Sequence, residues 1–109
     1  MDNHTLDYTY EKLWLAVKAL AAGTGPIRQR IEYAVIPHFT VLEKADFDIE
    51  FHADFKAVEA ALDLDVSRDD GSIKATLQAM DEDAAGRIAE HIFRLFCKVA
   101  QERGRRYDD

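Results

Sequence analysis

The sequence predicts an all-α fold, an irregular four- or five-helix bundle. Three observations carry this expectation. Apolar residues recur at helical spacing along most of the 109-residue chain. The connections between those stripes are short and marked by glycine, proline or clustered acids. No two alternating apolar–polar runs are joined by a hairpin turn.

Tyr10, Leu13, Trp14, Val17, Leu20 and Ala21 share one helical face, which predicts a first helix over about 9–22. Thr9 or Asp7 would cap it, and Gly23-Thr24-Gly25 would stop it. Pro26 suits the first turn of a second helix, where its missing N–H is not needed. Ile27, Ile31, Ala34 and Val35 then face inward, and Pro37 ends or kinks the helix near Ile36. The second helix is therefore 26–36, with a kinked continuation to 42 left open. Phe47, Phe51, Phe55, Val58 and Leu62 define a third helix of about 47–63, with Asp46 or Asp48 at its positive end. Leu62 to Val66 alternates too briefly for a strand and reads as a frayed helix end. Ser72 would cap a short helix over 72–80 carrying Ile73, Leu77 and Met80. Asp81-Glu82-Asp83 then opens the longest stripe, Ala85 to Val99, and Gly104 would close that helix at about 103. One domain, 1–109, with short flexible termini, completes the expected layout.

Composition excludes several classes of function. Leu, Ile, Val and Phe total 28 residues, about a quarter of the chain, too many for a disordered segment. The single cysteine, Cys97, can build neither an internal disulfide nor a multi-thiolate metal site. The N-terminal stretch lacks the basic and apolar regions of a signal peptide, and no apolar run is long enough to span a bilayer. A cytoplasmic protein is the expectation. Charge is unevenly spread: residues 43–70 hold ten acids against Lys44, Lys56 and Arg68, a surplus equal to the whole net charge of −7. Eleven acids and eleven bases balance elsewhere. A nucleic-acid binder would show a basic stripe instead, so direct nucleic-acid binding is not expected.

Tyr10-Glu11-Lys12-Leu13-Trp14 leads to Gly25-Pro26-Ile27-Arg28-Gln29-Arg30-Ile31, and Asp81 to Glu90 reads DEDAAGRIAE. Together these stretches resemble a type of small helical bacterial protein without assigned function, over roughly the first and last thirds of the chain. The resemblance implies a bacterial, all-α, single-domain protein and carries no activity or site with it.

Local motifs give few leads to chemistry. Asp63 to Gly71 has calcium-loop composition, but neither register places glycine sixth and glutamate twelfth, so a solvated acidic turn is expected. Gly23-Thr24-Gly25-Pro26 follows a helix and lacks the lysine of a phosphate loop; Arg28 and Arg30 leave a weak anion-binding candidate there. Cys97 lies far from its helix N-terminus, which favours a small, partly buried side chain over a nucleophile. Asp48 and His52 stand four apart, but no two histidines have ligand spacing. His38, His52, His91 and Asp48 are thus metal candidates only through tertiary convergence, with Glu43 and Glu90 as further oxygen donors. No cofactor is expected.

The Phe47-Phe51-Phe55 row is either core or an interface, since a helical stripe alone does not separate the two. Trp14, Ile92 and Phe96 are the other interface candidates. Amphipathic helices without a catalytic constellation favour a small acidic, non-enzymatic protein that dimerises or docks on a protein partner. The alternatives are a metal-assisted hydrolase built on the histidines and an acidic mimic of nucleic acid.

Overall fold

The computed structural model describes residues 1–107, which form helices joined by turns, with no strand among them. Asp108 and Asp109, part of the expected flexible tail, lie outside the described residues.

Helix α1 spans Asn3–Ala22 and starts six residues before the expected position. Its cap is Asp2, whose carboxylate accepts the Thr5 N–H at 2.7 Å, not Thr9 or Asp7. The buried arc is Leu6, Thr9, Leu13, Ala16 and Leu20. Thr9 hides the periodicity, because its buried hydroxyl is satisfied internally by donating to the Leu6 carbonyl at 3.0 Å. This arc is rotated from the one read in the sequence, which leaves Trp14 exposed and Tyr10 and Val17 at the rim. Gly23 closes the helix through its N–H to the Ala19 carbonyl at 3.1 Å, and Gly25, at φ 92°, makes the turn.

Helix α2 spans Ile27–Ala34, with Pro26 as its cap. It does not end at Ile36. The backbone widens into a π-helical turn over Val35–Phe39, closed by the Thr40 N–H on the Val35 carbonyl at 3.0 Å. Pro37 lacks the N–H an α-helix needs and collides with the carbonyl four residues back. A wider turn relieves that collision and keeps Val35 and Phe39 pointing into the core. Beyond Thr40 the chain turns, with Leu42 fully buried, so no helix reaches 42.

Helix α3 spans His52–Ala61 and is shorter than expected at both ends. Two 3-10 turns, Lys44–Asp46 and Ile49–Phe51, precede it, and Phe47 between them is extended. The helix ends on Leu62, and Asp63 takes the left-handed conformation at φ 53°. Helix α4 spans Asp70–Ala79 and is capped by Asp69 rather than Ser72; the Ser72 N–H donates to the Asp69 carboxylate at 3.2 Å.

Helix α5 spans Glu82–Tyr107 and passes straight through Gly104. Contacts with the other end of the chain hold its last turns. Arg103 pairs with Asp7 at 3.0 Å, the Tyr107 hydroxyl donates to Asp7 at 3.0 Å, and Arg106 donates to the Met1 carbonyl at 2.8 Å. The Met1 ammonium pairs with Asp48. These contacts join the two ends of the chain to each other and to Asp48.

Helix α5 is the spine: at 26 residues it is about 39 Å long, most of the 46 Å long axis. Helices α1 and α2 pack on one side of it and α3 on another, with α4 against α2. Phe47, Phe51 and Phe55 turn inward and close on one another, and Phe55 stacks on Phe39 at 5.2 Å between ring centroids. The three phenylalanines and Ile92 are core and cannot form an interface without unfolding.

Candidate functional site

Helix α5 has three faces. Its central arc, Ile88, Ile92, Leu95 and Val99, is buried. To one side lie Arg87, His91, Arg94 and Lys98, spaced i, i+4, i+7 and i+11; to the other lie Ala89, Phe93 and Phe96. The cationic stripe faces α3, and the aromatic stripe faces α1.

Asp54 of α3, 3% exposed, is the one buried charged residue among those described. Lys98 Nζ donates to its Oδ2 at 2.7 Å, His91 Nδ1 to its Oδ1 at 2.9 Å, and Arg94 lies 3.7 Å from Oδ1. Burial by itself raises the carboxyl pKa. The hydrogen bonds from Lys98 and His91, with the charges of Lys98 and Arg94, outweigh burial and hold it below 3.8. An ionised carboxylate only accepts, so His91 carries a proton on Nδ1, and whenever the ring is neutral Nε2 is left as an acceptor.

His91 also lines a cleft of about 460 Å³ between α3, α4 and α5. Its walls are Ala57 and Ala61 of α3, Thr76 and Ala79 of α4, Met80 just beyond it, and Ala84, Arg87 and Ile88 of α5. Small side chains on all three helices leave this space. Arg87 stands at its edge and has no hydrogen bond or ion pair among the described residues.

The metal candidates go to separate partners. His52 Nε2 donates to the Phe47 carbonyl at 2.9 Å, fixing the chain ahead of α3. Asp48 is held by the Met1 ammonium, with Arg106 at 4.0 Å. Burial, helped by the charge of Lys12, lowers the pKa of His38. Among the described residues no group of three or more His, Cys, Asp or Glu side chains is placed to hold a metal ion. Cys97 is a half-buried free thiol.

The two anion candidates are spent on helix ends. Arg30 donates to the Leu20 carbonyl at 2.8 Å and the Gly25 carbonyl at 3.1 Å, closing α1. Arg28 donates to the Met80 carbonyl at 3.0 Å, closing α4.

The aromatic side of α5 makes a second surface. Val17, Leu20 and Ala21 of α1, Ile27 of α2, and Ala89 and Phe93 of α5 line an apolar cleft edged by Arg30 and Glu90. Trp14, one helical turn before Val17, is 45% exposed, and Phe93 is 53% exposed. Phe96 is half-buried against Tyr10, 5.6 Å between ring centroids. Of the interface candidates, Phe96 therefore lies in the α1/α5 seam, and Trp14 stands on α1 one turn from Val17 of the cleft wall.

Asp54 and Phe93 were not singled out from the sequence, although both leave a signal in it. Asp54 is an acid placed three after Phe51 and four before Val58, within an apolar arc. Phe93 sits with Ala89 and Phe96 at i, i+4 and i+7, beside the main stripe rather than in it. No helix among the described residues is long and apolar enough to cross a membrane. Comparison of the chain with protein-family models, with curated proteins and with solved structures finds no match.

Proposed function

We propose that the protein is a non-enzymatic homodimer, and that its contact face is the α1/α5 seam. One observation carries the reading: Phe93 lines an apolar cleft half-exposed, and the half-exposed Trp14 stands one helical turn from Val17 on its wall. Exposed aromatics around an apolar depression are the usual centre of a protein–protein contact.

Charge favours a second copy as the occupant. A two-fold contact sets the same patch against itself, so the patch must tolerate its own charges. The surplus of acid lies in residues 43–70, and the seam is built from α1, α2 and α5, which mix seven acids with ten bases. Both signs border it: Lys18 lies 5.3 Å over the Trp14 ring, and Glu90 edges the cleft. A cytoplasmic setting fits the free cysteine.

An acidic mimic of nucleic acid has less support. Asp48, Asp54 and Glu59 are paired with the Met1 ammonium, Lys98 and Arg68, and are not arrayed outward.

Native mass across a dilution series tests the proposal. The expected wild-type species is twice 12.4 kDa, and Trp14→Glu and Phe93→Glu each give a monomer with unchanged helical circular dichroism. A wild type that stays monomeric throughout overturns the reading.

A further inference from the structure

We propose that the cleft between α3, α4 and α5 binds a small apolar carboxylic acid that also bears a hydroxyl group. The inference concerns a different face from the dimer seam and does not depend on it. The volume, about 460 Å³, falls within the roughly 300–1,000 Å³ typical of small-molecule sites. Ala57, Ala61, Ala84 and Ile88 supply an apolar floor for a tail.

The polar groups on this floor define the head group. Arg87 brings a guanidinium that no carboxylate among the described residues claims, whereas Arg94 and Lys98 further along the stripe both face Asp54. Guanidinium groups bind carboxylates with two parallel hydrogen bonds. His91 stands four residues on from Arg87, with Nδ1 engaged by Asp54 at 2.9 Å and Nε2 open as an acceptor. The Thr76 hydroxyl is already donating to the Ser72 carbonyl at 3.0 Å, so it too offers only lone pairs. One cation beside two acceptors matches a ligand with one anionic group and one O–H donor. A simple fatty acid would satisfy Arg87 and leave His91 Nε2 desolvated without a partner.

The probe is 3-hydroxydecanoate, titrated into the wild-type protein at neutral pH below its micelle concentration, with calorimetry and backbone amide NMR shifts as readouts. Saturable one-to-one binding is expected, with shifts on the cleft-facing residues of α3, α4 and α5. Decanoate, lacking the hydroxyl, binds about tenfold more weakly. Arg87→Gln weakens both ligands, His91→Leu removes the difference between them, and Ala84→Phe blocks both; the amide pattern away from the cleft confirms that each variant is folded. Failure to saturate overturns the site. Equal binding of decanoate and 3-hydroxydecanoate by the wild type overturns the role of His91, and equal binding of decanol overturns that of Arg87. Shifts confined to Val17, Ala89 and Phe93 instead would assign the ligand to the α1/α5 seam and overturn the proposal.

Discussion

Asp54 is 3% exposed, and ionised it must be worth its desolvation. Lys98, His91 and Arg94 meet it from one face of α5, so the carboxylate both ties α3 to the spine and fixes the His91 ring. Asp54→Asn preserves the shape but removes the charge. Hydrogen bonds to charged groups are worth about 1.5–3 kcal/mol, and the half-exposed partners recover some of that from water, so a loss of about 2 kcal/mol is expected at neutral pH. The folded pKa of Asp54 is depressed below 3.8. Its contribution is therefore present above 3.8 and is lost as pH falls through the folded value. Glu102, held at about 2 by hydrogen bonds from Arg105 and Arg106, titrates in the same sense in both proteins. The difference between wild type and variant thus isolates Asp54. Urea unfolding should show two stability curves that converge at acid pH. A gap that stays constant with pH would assign the loss to packing instead. A packing control sits one residue along: Phe55→Ala should cost about 3–5 kcal/mol at any pH, because it empties the centre of the phenylalanine cluster.

At the level of the elements, the helical periodicity of the sequence locates the five α-helices of the described residues but not every boundary, nor the π and 3-10 turns. The misses share a cause: a residue's local preference gave way to a tertiary contact. Thr9 reads as a cap and is instead buried within α1, its hydroxyl turned back on Leu6. Pro37 reads as either an end or a kink, and burial of Val35 and Phe39 on either side draws the chain through it in a wider turn. The site was less legible than the fold. Its parts lie on α3, α4 and α5, and only packing brings Asp54 to His91, 37 residues apart. Gly104 offers a direct test of the same competition. As a helix terminator in the left-handed conformation it would resist substitution, and Gly104→Ala would destabilise. In the structure it lies within α5, and a Cβ placed there meets nothing within 4 Å. Gly86, also within α5, has the same open surroundings. Each glycine-to-alanine change should therefore stabilise by about 0.5–1 kcal/mol. Thermal unfolding of Gly86→Ala, Gly104→Ala and the double variant should show two gains that add, since the sites are five turns apart.

For the whole molecule, the distribution of charge and of apolar surface separates fold stability from association. The acid surplus of residues 43–70 repels itself across the 3-10 turns, α3 and the loop to α4, and none of these lines the α1/α5 seam. Salt screens exposed like charges over about 8–10 Å at moderate ionic strength, so added salt should raise the stability of the fold. The seam is apolar at its centre, and burying Trp14, Val17 and Phe93 against a second copy depends on area removed from water rather than on charge. Its dissociation constant should then be nearly independent of salt. Mass action gives a way to read both effects in one experiment, because a ligand that binds only the folded state raises the melting temperature with its own concentration, and in a homodimer that ligand is the protein itself. Melting curves of the wild type should shift upward with protein concentration by the same amount at low and high salt, while the entire set moves up with salt. Phe93→Glu should retain the salt-dependent rise and lose the concentration dependence. If the concentration dependence instead collapses with salt, ion pairs such as Lys18 with Glu90 hold the copies together, and the aromatic pair is not the centre of the contact.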